Sequence, residues 1–265
     1  MKLGIKAHWK DADIMAGMGT ALMEIHLEPR DLIEHTESVV DTFSRLSKEH
    51  GMELVVHNQE YWFDGKEYRL VDLASPDELR RHKAIEFTRK ALDLADRIGA
   101  MYLVLHPGGI FPHEVDNKKP LARLKDSLTE IEDKRILLEN MPWFYIMRSG
   151  EIWHSNICIR PEDFYALSDL VGGCTLDICH AFLATKEGDN EDVAAMKDRL
   201  GDMIRHVHAS DARPPHDEGQ QIGDGLVDFN VLKGLKAGII PEIIGGHKNS
   251  GEGFKIALER LRKLV

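Results

Sequence analysis

Cysteine is nearly absent: Cys158, Cys174 and Cys179 are the only three in 265 residues, and no two form a CxxC pair. So sparse and odd a set excludes a disulfide framework and fits a reducing, cytoplasmic setting. Long apolar runs are missing too. None approaches the roughly 20 residues of a membrane span, and the N-terminus, MKLGIKAHWKD, enters a strand pattern without a signal-peptide core. A basic excess is also lacking, since 34 Lys and Arg stand against 45 Asp and Glu for a net charge of −11. That balance speaks against a broad nucleic-acid-binding face, although bound cations would change the local potential. No GxGxxG or Walker pattern occurs; Gly108-Gly109, Gly223-Asp224-Gly225 and Gly245-Gly246 read as tight turns sooner than as phosphate loops.

What the chain does have is histidine, 14 in all, several of them ending short apolar runs. Leu54–His57, Met101–His106, Ile136–Glu139, Thr175–His180, Ile204–His208 and Ile239–Glu242 each close on or near His, Asp or Glu. These runs belong to a regular alternation. Strands are expected at Lys2–Ala7, Ala21–His26, Met52–His57, Met101–His106, Arg135–Glu139, Cys174–Ile178, Ile204–Ala209 and Ile239–Ile243. Helices are expected at Ala12–Thr20, Pro29–His50, Ser75 to Ile98, Pro120–Ile131, Arg160–Val171, Val193–Leu200, Asn230–Lys236 and Gly251–Leu264. Asn58–Ala74 and Ser210–Gly225 read as long loops. Pro241 inside the last strand removes a ladder donor and points to a shifted boundary or a bulge. Eight strands alternating with helices, with no internal repeat or linker, predict an α/β fold: a single (β/α)8 TIM barrel over residues 1–265.

Such barrels carry their chemistry at the C-terminal ends of the strands. His57, His106, Glu139, Asp177, His208 and Glu242 all fall there, on six successive strands. Imidazole and carboxylate together are a ligand set for Zn2+, Mn2+ or Fe2+, and clustered carboxylates need cations between them. A lone strand-end histidine is usually a hydrogen-bonded loop residue; six coinciding endings point to a metal site. His180 can reach around the rim, whereas His206 reads as an inner-layer residue and Cys179 as filler. Glu139 and Glu242 suit two chemistries: holding a metal pair that polarises a phosphate, or moving a proton between neighbouring carbons of a sugar. His8, Trp9 and Trp143, at strand exits, are candidate walls of the pocket. Tyr61, with Trp62 and Phe63, either stacks on a base or sugar or packs its own loop.

The segments Leu73–Leu79 (LASPDEL), Tyr102–Gly108 (YLVLHPG), Ile136–Met141 (ILLENM), Leu176–Phe182 (LDICHAF) and His208–Asp211 (HASD) resemble the xylose-isomerase-like barrels of AP endonuclease family 2, and among them the endonuclease IV branch. The resemblance implies zinc, two or three ions, with Mn2+ as the other candidate. It implies Glu139 as the bridging carboxylate, His57 and His106 on one ion, Asp177, His208 and Glu242 on a second, and His180 on a third. The implied reaction is cleavage of DNA 5′ to an abasic site by metal-activated hydroxide, a DNA-repair hydrolysis. Two departures accompany it. Where the third site takes an Asp-x-His pair, this chain has Asp217 and then Gly219, leaving His216 as the substitute. The basic segment that follows the second strand in that branch is reduced to residues 26–31. The alternative reading is therefore a divalent-metal-dependent isomerase or epimerase of a small sugar or sugar phosphate, with Glu139 and Glu242 as acid and base. The sequence leaves the oligomeric state open.

Overall fold

The computed structural model describes residues 2–147 and 149–264. Among them, eight parallel strands close into a barrel: β1 (Lys2–Ala7), β2 (Leu22–His26), β3 (Glu53–His57), β4 (Tyr102–Leu105), β5 (Ile136–Glu139), β6 (Gly173–Asp177), β7 (Ile204–Ala209) and β8 (Gly238–Pro241). Each strand pairs with its sequence neighbours, and β1 closes on β8 through Lys2↔Gly238 and Leu3↔Ile239. This is a (β/α)8 TIM barrel. Its strands are buried on both faces, which is why they read as nearly continuous apolar runs.

Alternation divides every strand between a helix-facing and a barrel-facing set. Met23, Ile25, Leu54, Val56, Leu103, Leu105, Leu138 and Val207 join the outer core under the helices. Leu22, Val55, Val104, Leu137 and Ile240 form a separate apolar layer inside the barrel. Gly4 fits this interior because it has no side chain: a Cβ there would lie 2.4 Å from Ile240 Cδ1 and 2.8 Å from the Leu22 carbonyl. Above the apolar layer the inward positions turn polar, with Lys6, Glu24 and His206, and then with the strand-end residues.

The helices differ from expectation mainly at their ends. The helix expected over Pro29–His50 is two, Asp31–Glu34 and Thr36–His50, broken at His35. Asp31 accounts for the break: its carboxylate holds the Glu28 N–H, the Trp9 indole and His8, so the first turn is tied to the loop after β1. Only Pro161–Tyr165 is helical where Arg160–Val171 was expected; beyond it the chain tightens into i,i+3 turns, Leu167 N–H to Phe164 and Leu170 N–H to Leu167. Asn230–Lys236 is reduced to a 3-10 turn at Phe229–Leu232. Pro241 ends β8 two residues after the last bridge to β1, so its missing N–H falls beyond that ladder.

The expected loops hold short sheets. Tyr61–Phe63 pairs with Tyr68–Leu70, and Asp211–Arg213 pairs with Asp217–Gln220. A third sheet joins Ile110–Phe111, Ile152–Ser155 and Phe144–Ile146. No helix among the described residues is long and apolar enough to cross a membrane.

Candidate metal centre

Glu139 ends β5 and lies fully buried at the centre of the barrel mouth. Its two oxygens face different partners. Oε2 lies 3.4 Å from His57 Nε2 and 3.6 Å from His106 Nε2. Oε1 lies 3.2 Å from His208 Nδ1 and 3.3 Å from His180 Nδ1. On the second side His208 Nδ1 is also 3.0 Å from Glu242 Oε2 and 3.9 Å from Asp177 Oδ2. Donor atoms of His57, His106 and Glu139 thus converge on one point, and those of Glu139, Asp177, His208 and Glu242 on another.

Both oxygens of Glu139, His57 Nε2 and His208 Nδ1 are buried without a hydrogen-bond partner. Four such atoms around one space would each carry a desolvation cost of about 1–3 kcal/mol if nothing filled it. Divalent cations at the two points would satisfy them, so the residues present fit a metal.

The electrostatics agree. Burial opposes ionisation of Glu139, yet His208 and His106 hold its pKa well below the usual carboxylate range. Burial works equally against the charge on His208 and His180, but carboxylates outweigh it: Glu139, Glu24 and Glu242 around the first, Asp177, Glu139 and Glu218 around the second. Asp177 is pushed up to about 7 by burial, reinforced by Glu139 and Glu242. A metal bound here would therefore compete with protons for the same donors and release them on loading.

Local structure fixes the candidate ligands. Asn140 is buried beside Glu139; its side chain accepts from the Asp177 N–H at 2.7 Å and donates to the Asp177 carbonyl at 2.9 Å, which locks β5 to β6. Asp177 then caps the short helix Ile178–Phe182 by accepting the His180 N–H, and that turn swings His180 into the site. His57 Nδ1 pairs with the Asn58 carbonyl at 2.9 Å, leaving Nε2 for the centre. Glu24 plays the same part for β7, with Oε2 2.8 Å from His208 Nε2 and 2.6 Å from His206 Nε2. Such outer partners fix tautomer and ring orientation of a ligand.

Three groups here carried no sequence signal. Glu24 is one. Lys6 is the second; it pairs with Glu24 Oε1 at 3.2 Å and with Glu242, placing a buried cation beneath the site. The third is Glu218, whose carboxylate stands 3.6 Å from His180 Nε2. Hairpin alternation sends Glu218 inward, whereas Asp217 is exposed and bonds Gln220. His216 is exposed as well, its ring 6.1 Å from Phe144, and neither it nor Asp217 belongs to a converging group among the described residues. Gly219 has φ 68°, and a Cβ there would lie 2.4 Å from Ile244 Cγ1, so a histidine at this position would displace Ile244.

The candidate walls are spread around the rim. His8 and Trp9 are clamped to Asp31 on the β1 side. Trp143 donates to Glu114 and stacks edge-on to Phe144 and His154. Tyr61 lies in the hairpin after β3, paired with Leu70.

Comparison with known proteins agrees with this architecture. A probable endonuclease 4 from Thermotoga petrophila is 27% identical over 218 residues, 73% of each chain. An uncharacterised protein from Methanocaldococcus jannaschii is 30% identical over 205 residues, 74% of each chain. Among solved structures, endonuclease IV from Thermus thermophilus superposes with a TM-score of 0.72 at 18% identity, over 99% of this chain and all of that one. A D-tagatose 3-epimerase-like protein does so with 0.71 at 24% identity, over 100% of this chain and 98% of that one. At these identities the two structures show the shared fold. The sequence profile of the xylose isomerase-like TIM barrel matches residues 12–264, nearly the whole chain, and this chain belongs to that family.

Proposed function

We propose that the protein is a divalent-metal-dependent phosphodiesterase of the endonuclease IV type, acting at abasic sites in DNA with zinc as its metal. The observation that carries this reading is the division of Glu139: one oxygen serves His57 and His106, the other serves His208 and His180. A carboxylate so divided would suit being shared between two cations, and two-metal sites suit phosphoryl chemistry. Cations held there would supply Lewis acidity, activating water and neutralising phosphate charge. Glu139, His57 and His106 would hold one; Asp177, His208 and Glu242 would hold the next. His180 with Glu218 forms a third, incomplete flank. Lys6 and Glu24 keep Glu242 and His208 aimed at the centre, and the surrounding burial excludes bulk water. Endonuclease 4 relatives matching 73% of the chain support the same reading.

One observation favours a second reading, a sugar or sugar-phosphate epimerase. Glu139, Asp177, His208 and Glu242 by themselves form a complete one-metal set, with Glu139 and Glu242 at 3.2 and 3.0 Å on either side of His208 Nδ1. Metal analysis together with an incision assay on abasic duplex oligonucleotide separates the two. Two or more tight zinc equivalents with incision are expected; fewer than two with no incision would refute the phosphodiesterase.

A further inference from the structure

The three short strands at the mouth form a wall with two unlike faces. Their antiparallel register sets Trp153 opposite Tyr145 and Ser155 opposite Ile110. Paired residues share a face, as do residues two apart on one strand. Tyr145, Trp153, Ser155 and Ile110 therefore line one side. That side faces the metal centre. At one end the Tyr145 ring stands edge-on to His180, with centroids 6.4 Å apart. At the other, Ile110 lines a small cavity together with His106, Asn58 and Glu60. The opposite face carries Ile146 and Ile152, exposed by 44% and 47%.

The inner face has a property its packing does not explain. Tyr145 Oη, Trp153 Nε1 and Ser155 Oγ are all buried, and none has a hydrogen-bond partner. Buried polar atoms are nearly always paired, and three orphans along one face of a small sheet call for a partner. Outer-face packing cannot provide it, and the ligand side can.

We propose that this inner face is a substrate-recognition wall, with Tyr145 as its leading contact, donating hydrogen bonds to oxygen atoms of the substrate. The donors define the ligand. An indole N–H can only donate. The Tyr145 phenol carries an O–H that donates as well. The wall therefore takes acceptor-rich groups, the phosphoryl or hydroxyl oxygens of a sugar phosphate. The inference rests on the metal-centred reading for where the substrate lies, and not on which bond is broken.

The test uses the full-length zinc-loaded protein and its Y145F and W153F variants, each titrated calorimetrically with inorganic phosphate and, separately, with D-ribose. Loss of one hydrogen bond to an anionic or hydroxyl oxygen should weaken binding about tenfold or more in Y145F, with zinc equivalents unchanged. Weakening confined to the phosphate arm assigns the wall to phosphoryl oxygens; weakening confined to the ribose arm assigns it to hydroxyls. W153F carries the same test should Y145F fail to fold. Unchanged affinity for both probes in both variants, or no binding of either probe to the parent protein, would overturn the wall. Because no turnover is measured, a protein that fails to cleave abasic DNA while Y145F still weakens probe binding refutes the phosphodiesterase and leaves the wall standing.

Discussion

Replacing Lys6 with methionine removes an ammonium that stands beside Glu24 and Glu242, leaving them to His208. Lys6 is 11% exposed and Glu24 fully buried, with Nζ 3.2 Å from Glu24 Oε1. At an effective dielectric of 20 that contact alone is worth about 5 kcal/mol of gross attraction. Deleting one partner of a buried pair typically costs about 3–5 kcal/mol, because the remaining charge stays buried and uncompensated. His206 and His208 still hold Glu24 in the variant, so the lower end, about 3 kcal/mol, is the expected loss. Burial pulls the Lys6 pKa down, but Glu242 and Glu24 outweigh it and raise it, so the ammonium is present throughout the neutral range. Its contribution is complete below the ordinary lysine pKa and does not vary between pH 6 and 8. The measurement is guanidinium unfolding of parent and K6M in EDTA, repeated with zinc. Cations on Glu242 take over part of the compensation, so the difference should shrink when zinc is present. A K6M protein within about 1 kcal/mol of the parent in EDTA, or a deficit just as large with zinc, would refute the assignment of Lys6 as the internal counter-charge.

Three further outcomes are expected. His106→Ala should lose about one tight metal equivalent by elemental analysis while keeping the set formed by Asp177, His208 and Glu242; full retention of metal contradicts the two-sided role of Glu139. Asp72 is buried against the Gly109 and Ala74 N–H groups, and burial lifts its pKa from 3.8 to about 6. The raised pKa means that its contribution to stability is complete below pH 4 and is lost as pH rises through 6, so D72N should gain on the parent by up to about 3 kcal/mol between those limits in chemical unfolding; a flat difference rejects this. Asn140→Ala leaves the Asp177 N–H and carbonyl without their side-chain partners and should cost about 2–3 kcal/mol of unfolding free energy, with weaker zinc binding measured by chelator competition.

The barrel and most of the centre were legible in the sequence for one reason. Strands buried on both faces are written as apolar runs, and a run that stops at His or Glu marks a strand end. His57, His106, Glu139, His208 and Glu242 announce themselves in this way. Lys6 and Glu24 do not, since a charge within a strand ordinarily marks a solvent face, and only barrel closure turns these two toward each other. Glu218 is hidden by register: whether it or Asp217 points inward depends on pairing with Asp211–Arg213, which no local pattern specifies. The mouth sheet is hidden because its strands are two to four residues long and meet across some 40 residues of chain, as in the pairing of Phe111 with His154.

The apolar layer of Leu22, Val55, Val104, Leu137 and Ile240 is no more than 2% exposed at any member. It acts as a stopper in the barrel, so the polar interior above it is a one-ended vessel. Under the proposed function, water, ions and substrate would all approach the centre from the side opposite this layer. A ligand held against the mouth wall is then also a lid on the metals, and chelators should strip the loaded protein more slowly when it is occupied.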